Sequence, residues 1–326
     1  MSKDKKHKNS TYCLLLCLFV FNLSDAEIYE LPHNDNNIIG NISEVIASHE
    51  DTLLDIAQRH GLGFEEIKRA NPNIDLWIPG EGTKVILPKK FILPDAPRSG
   101  LVLNIAEYRM YYYPETVRGQ PEIVITYPMS IGRVDWETPL GKTKVISKKE
   151  NPSWYPPASI RAERAMEGEF LPNIIPPGPD NPLGDFAIRL DIPGYLIHGT
   201  NKPNGIGMRV THGCIRMLPQ NIEELYSMMS LNDDVYIVNQ PIKLGWNSDE
   251  LFIEAHEFLL DNSIDYELHD RSMSQKKAKS LSYIFSELTE RYIKITDKKK
   301  AKLDWRVAEL ASIRADGIPI FVGAKN

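Results

Sequence analysis

The sequence predicts a mainly β fold, an antiparallel sandwich or barrel, with a small β-α-α-β unit before it and an α/β appendage after it. Three observations predict this. Between residues 97 and 240, short β-branched and aromatic runs alternate with Gly/Pro turns, the pattern of many short strands. Helical spacing is confined to the stretches in front of and behind that region, apart from one helical pattern starting near Asn221. The 23 prolines cluster between elements rather than inside them, as in a loop-rich β protein.

The first 26 residues stand apart. Lys3, Lys5, Lys6 and Lys8 precede an apolar run from Tyr12 to Leu23, and Ser24-Asp25-Ala26 supplies small residues at a cleavage position. This is the layout of a secretory signal peptide, and the run is too short for a spanning helix. Residues 27–42 read as an extended lead-in. The unit at 43–90 opens on a strand at Val45-Ile46. Asp51 or Thr52 caps a helix with Leu53, Ile56 and Ala57 on one face and Gly61 as its stop. A second helix carries Phe64, Ile67 and Ala70 and ends before Asn71-Pro72. The Pro79-Gly80 turn returns the chain to a strand at Lys84–Leu87.

Pro94–Gly100 reads as a linker into the domain at 97–240. Leu101–Ile105 and Arg109–Tyr113 pattern as a hairpin, and Glu122–Tyr127 as a third strand. Short strands and turns continue from Met129 to Ser147. Asn151–Pro157 and Pro176–Gly184 are proline-rich rigid loops. Strands follow at Ala187–Leu190, Gly194–Ile197 and Val235–Val238. In the appendage at 241–326, Leu281, Ile284, Phe285, Leu288 and Tyr292 lie at helical spacing, as do residues of Trp305–Arg314, before a terminal strand at Ile318–Val322. The lysines at 276, 277, 279, 298, 299, 300 and 302 read as solvated faces.

Removal of residues 1–26 takes four lysines and two acids with it and moves the net charge from −6 to −8. That balance argues against a nucleic-acid partner. It also removes Cys13 and Cys17, leaving Cys214 as a lone thiol in an exported chain, where cysteines ordinarily pair.

Cys214 lies in Tyr195–Met217, YLIHGTNKPNGIGMRVTHGCIRM. A thiol acting on a carbonyl needs a base to take its proton and N–H groups for the developing oxyanion. His212-Gly213-Cys214 provides both locally. His198 follows a strand and projects from a rigid element; Gly199 and Thr200 follow it, with a backbone carbonyl or the Thr200 hydroxyl available to hold its tautomer. Either histidine could serve as base on this reading. His198, His212 and Cys214 are also acceptable zinc ligands, but the His-x-Cys spacing is unlike the common Cys-x-x-Cys pairs and no fourth ligand is evident. No metal and no cofactor are expected.

Two resemblances refine the reading. His49-Glu50-Asp51-Thr52-Leu53, Ile56-Ala57, Asn71, Gly82 and Ile86-Leu87-Pro88 resemble a LysM module. That implies binding to N-acetylglucosamine-containing glycan, with Asp51, Thr52 and Asn71 as candidate contacts. His198 followed by Thr211-His212-Gly213-Cys214-Ile215-Arg216 resembles the signature of YkuD-type L,D-transpeptidases. Thr138–Gly141, Trp154–Pro157, Gly178–Gly184 and the Gly317–Val322 ending match the ErfK/YbiS group of that family. The resemblance implies a periplasmic, cell-wall-associated acyltransferase with Cys214 as nucleophile and His198 as base. His212 would sit beside the thiol, and the amides of His212, Gly213 and Cys214 would form the oxyanion hole. Thr211 and Gly199 would shape the loop, and Arg216 would support it or hold a substrate carboxylate. The implied donor is the tetrapeptide stem of peptidoglycan, and carbapenems resemble such donors. The implied acceptor is another stem, an outer-membrane lipoprotein lysine, a free D-amino acid or, in a carboxypeptidase, water.

Overall fold

The structure, a computed structural model, describes residues 27–33, 35–134, 136–259 and 273–326. The signal-peptide segment at 1–26 lies outside the described residues.

The N-terminal unit is a long hairpin, β2 (Ile38–Ile46) and β3 (Lys84–Ile92), paired over its full length and enclosing α1 (Leu53–Arg59) and α2 (Phe64–Ala70). Thr52 is the N-cap of α1 and forms a reciprocal capping box with Asp55. Asn71 is buried. Its Nδ2 donates to the Ile67 and Ile86 carbonyls (2.8 and 2.9 Å), and its Oδ1 accepts from the Ile86 amide (2.8 Å), stitching α2 to β3.

The central domain is a single nine-stranded sheet. Its strands are β1 (Glu27–Glu30), β4 (Gly100–Asn104), β5 (Arg109–Tyr113), β6 (Ile123–Pro128), β8 (Gly141–Glu150), β9 (Phe186–Leu190), β10 (Leu196–His198), β12 (Ile215–Arg216) and β13 (Asp234–Val238), in the order β1-β6-β5-β4-β13-β8-β9-β10-β12. Two short strands, β7 (Ile131–Gly132) and β11 (Arg209–Thr211), pair beside it. The expected antiparallel arrangement holds for most pairs, but β4/β13 and β10/β12 are parallel, so the sheet is mixed. Both parallel pairs arise from long returns, one through the helix α4 (Pro219–Met228) and one through the loop at 199–214.

Alternation divides the sheet residues between two cores. Leu101, Leu103, Met110, Tyr112, Ile125 and Tyr127 face a core shared with Ile197, Ile215, Ile222 and Leu225. Val102, Tyr111, Tyr113 and Val124 face the other way, into a core completed by Leu53, Ile56, Ile67 and Leu87 of the N-terminal unit. The unit is therefore packed on the sheet rather than strung from it. Arg109, fully buried on that second face, reaches across to Glu66 of α2, 2.5 Å from Oε1 and 2.8 Å from Oε2, and donates to the Gly61 carbonyl (2.9 Å). The lead-in extends this join, since β1 pairs with β6. The segment expected as a linker is clasped: the Asp95 amide donates to Gln240 Oε1 (2.9 Å) and Gln240 Nε2 donates to the Asp95 carbonyl (3.0 Å).

The C-terminal part holds β14 (Ile242–Asn247), β15 (Glu250–Ala255), α5 (Met273–Ile295), β16 (Ala301–Leu303), α6 (Trp305–Arg314) and β17 (Ile320–Lys325), with strands in the order β14-β15-β17-β16. The β14/β15 hairpin was not expected from the sequence. Its strands are mostly buried on both faces, so they lack the polar alternation by which a half-exposed hairpin is read. At the meeting of the three parts, Lys243 lies between Glu107 (2.6 Å) and Glu254 (2.7 Å), all buried. Tyr111 and Asn104 donate to Glu107, and the Ile92 amide donates to Glu254.

Candidate active site

The site is built where β10 and β12 run side by side. Ile197 pairs with Ile215 and His198 with Arg216. Both isoleucines point into the core. Strand alternation therefore turns His198 and Arg216 to the opposite face, and Cys214, two residues before Arg216, to the same side.

The loop carrying Cys214 is held by its carbonyls. The Thr211 carbonyl accepts from the Arg133 amide (2.9 Å), the Gly213 carbonyl from the Thr138 hydroxyl (3.3 Å) and the Cys214 carbonyl from the Thr211 hydroxyl (2.6 Å). Among the described residues, no acceptor receives the amides of His212, Gly213 or Cys214. Three successive N–H groups, the last on Cys214 itself, are thus left without an acceptor. Gly213 has φ +98°, a conformation that L side chains rarely adopt, and a Cβ there would approach the Tyr195 ring at 3.2 Å. Tyr195 closes this side of the site by donating to the Glu137 carbonyl (2.8 Å).

His198 is buried, with Nδ1 2.7 Å from the Gly199 carbonyl. A carbonyl only accepts, so Nδ1 carries the proton, and the Leu183 carbonyl is a second backbone group that bears on the ring. The Gly199 carbonyl is the orienting partner. The Thr200 hydroxyl, the alternative open in the sequence, instead accepts from the Lys202 amide (3.0 Å). Burial, and then the Arg216 charge, hold the His198 ring neutral down to about 3. Burial raises the Cys214 thiol, against a backbone hydrogen bond from Leu196 and the Arg216 charge that both pull it down. The thiol donates to the Gly194 carbonyl at 3.6 Å. Burial therefore favours the neutral form of both the thiol and the imidazole.

His212 faces elsewhere. Its Nε2 is 3.0 Å from Glu163 Oε2, and the Trp136 ring meets it edge-on at 5.3 Å. Glu163 lies on α3 (Ala158–Met166), a helix the sequence reading missed. Only Ile160 of that helix is buried, so no apolar stripe announces it, although Pro157 at the N-cap is a start signal. Asp51, Thr52 and Asn71 lie in the N-terminal unit, away from this constellation. Asp51 accepts from the Ser48 amide (2.8 Å) and pairs with Arg59 (2.8 Å). With the Thr52 cap and the Asn71 clasp, all three have polar atoms engaged within the unit's own fold.

The family described as YkuD, L,D-transpeptidase catalytic domain, matches residues 98–237. The chain is 39% identical over 246 residues to the probable L,D-transpeptidase YcfS of Escherichia coli, covering 74% of this chain and 76% of that protein. It is 38% identical over 259 residues to the probable L,D-transpeptidase ErfK/SrfK of Escherichia coli, covering 78% and 82%. The probable L,D-transpeptidase YbiS of the same organism is 35% identical over 248 residues, covering 75% and 79%. These matches run well beyond residues 98–237, so the likeness includes flanking parts of the chain.

Proposed function

The chain belongs to the YkuD family of L,D-transpeptidases, and from that premise we propose that it transfers peptidoglycan stem peptides through a thioester on Cys214, with His198 as the base. The observation that carries this reading is the orientation of His198. Its Nδ1–H is committed to the Gly199 carbonyl, and strand pairing with Arg216 sets the ring on the face that carries Cys214.

The chemistry follows from a neutral starting pair. As the Cys214 sulfur attacks the carbonyl carbon of the third stem residue, its proton passes to His198 Nε2. The tetrahedral oxyanion meets the unpaired amides of His212, Gly213 and Cys214. The buried imidazolium, costly where it stands, gives the proton to the departing amine, and terminal D-alanine leaves. An acceptor amine then attacks the thioester and loses its proton to His198. The thiolate departs and is reprotonated. Arg216, whose Nε is buried without a hydrogen-bond partner among the described residues, is the group assigned in this reading to a stem carboxylate, or to support of the loop.

The N-terminal unit is read as a LysM-like glycan anchor of an exported, periplasmic enzyme. Its α2–β3 loop supports this. Asp75 accepts from the Trp77 and Ile78 amides (2.9 Å each), holding both side chains outward at 60% and 78% exposure. An outward indole is a surface on which a sugar ring stacks. Since the unit shares a core with the catalytic sheet, a glycan bound there would keep a fixed direction relative to the thiol.

Incubation with tetrapeptide muropeptides tests the function. Cross-linked dimers or amine adducts are expected, and tripeptide alone would place water as the acceptor. A carbapenem adduct on the wild-type protein, absent from Cys214→Ala, is expected by intact mass. The same adduct on both proteins would remove Cys214 from its role.

A further inference from the structure

We propose that Glu163 on α3 is a positioning residue for the acyl transfer, setting the ring of His212 and pinning α3 to the loop that carries Cys214. This rests on the transpeptidase reading above. Two segments distant in sequence converge on this one carboxylate. Oε1 accepts from the Arg133 guanidinium at 2.7 Å, and Oε2 faces His212 Nε2 at 3.0 Å. A carboxylate only accepts, so His212 Nε2 carries a proton and Nδ1 is the open ring position. Trp136 bounds the ring on another side at 5.3 Å and 74°. The Arg133 amide also donates to the Thr211 carbonyl (2.9 Å), so the same junction fixes the backbone just before His212.

Solvent-exposed ion pairs usually contribute little, but this one has a geometric task. With only Ile160 buried, α3 has almost no apolar reason to lie where it does. Glu163 and His212 are largely covered, at 24% and 15% side-chain exposure. The charged groups facing His212 are Glu163 from α3, Arg133 from the segment after β7 and Arg216 from β12. Of these only the carboxylate favours the imidazolium, while burial, the largest influence, opposes it. Arg133 first, and His212 after it, hold Glu163 below the usual carboxylate range, so it stays ionised while the enzyme works.

The test measures carbapenem acylation rates across pH for wild type, Glu163→Gln, Glu163→Asp and Cys214→Ala, with a thermal melt of each. Wild type must acylate and Cys214→Ala must not; otherwise the transpeptidase reading itself fails. Glu163→Gln is expected to acylate at least about tenfold more slowly, the scale of a misplaced catalytic loop. The His212 ring, followed by NMR of its imidazole protons, should titrate at lower pH in Glu163→Gln, because the group favouring its imidazolium is gone, and Glu163→Asp should recover part of the rate. Wild-type behaviour of Glu163→Gln at every pH would overturn the proposal. So would a pH-independent loss, shared by Glu163→Asp and matched by a lower melting temperature.

Discussion

His198 and Arg216 stand opposite each other at the ends of two adjacent parallel strands, β10 and β12. The guanidinium there bears on both groups proposed to react, disfavouring charge on His198 and favouring thiolate at Cys214. In Arg216→Leu both titrations should therefore rise. The pH profile of Cys214 alkylation by iodoacetamide is expected to move to higher pH, and acylation at pH 7 to slow by about tenfold or more. A shift of the alkylation profile to lower pH would contradict this account.

Acid should destabilise the fold through two buried histidines. His198 is held neutral down to about 3 and His256 down to about 4, in both cases chiefly by burial. His256 is faced by Glu107, Glu254, Lys243, Arg69 and Glu66, whose mixed charges do not offset that burial. An unfolded histidine takes up its proton near 6.5, so between there and the folded values the unfolded chain binds more protons. Stability therefore rises with pH through this window: it is fully present above about 6.5 and is lost as pH falls through the window towards the folded values, at about 1.4 kcal/mol per unit of displaced pKa for each group. Denaturant melts at pH 7, 5.5 and 4 should show the loss, with a shallower slope in His256→Gln. A flat profile from pH 7 to 4 would mean that neither ring is kept neutral by the fold.

How much of this was legible in the sequence depended on whether a signal was local. The Thr211–Arg216 segment, the Thr52 cap and the strand before His198 are local patterns, and the structure has each at its expected place. Glu163 was not legible, because α3 has one buried residue and its partners lie 30 and 49 positions away. The packing of the N-terminal unit was hidden for a similar reason. Alternating residues in β5 feed two different cores, and nothing in RMYYY says that Tyr111 and Tyr113 meet another part of the chain. Parallel pairing of β10 with β12 depends on the path of a 16-residue return, 199–214, which short-range propensity does not encode.

Lys243 is expected to be among the most sensitive positions outside the active site. Glu107, Glu254 and His256 bring donor atoms within 4.8 Å of one another, and the Lys243 ammonium is the cation that balances both carboxylates. In Lys243→Met two buried carboxylates lose it, a cost of about 3–5 kcal/mol. Chemical denaturation should show that loss, and adding Glu254→Gln should recover part of it through direct coupling. A cost below about 1 kcal/mol would show that the cluster is not dry.

Gly207 joins the N-terminal unit to the active-site loop. The Phe64 amide donates to the Ile206 carbonyl (2.9 Å) and the Glu65 amide to the Gly207 carbonyl (3.3 Å), so the start of α2 rests on the chain seven residues before Cys214. Gln58 adds a bond to Asn204 at 3.0 Å. Gly207 has φ +86°, and a Cβ there would strike the Phe64 amide and come within 2.5 Å of Gly63 Cα. Gly207→Ala must therefore part the two segments as well as strain its own backbone, a cost of roughly 1–3 kcal/mol from strain alone. The loop loses its brace while every catalytic side chain stays intact. Slower acylation with unchanged Cys214 content is expected, together with earlier unfolding. Gln58→Ala, which removes the bond to Asn204 without a clash, should slow acylation less and lower the melting temperature less. If Gly207→Ala lowered stability but acylated at the wild-type rate while folded, the N-terminal unit would be a passenger on the active-site loop rather than its brace.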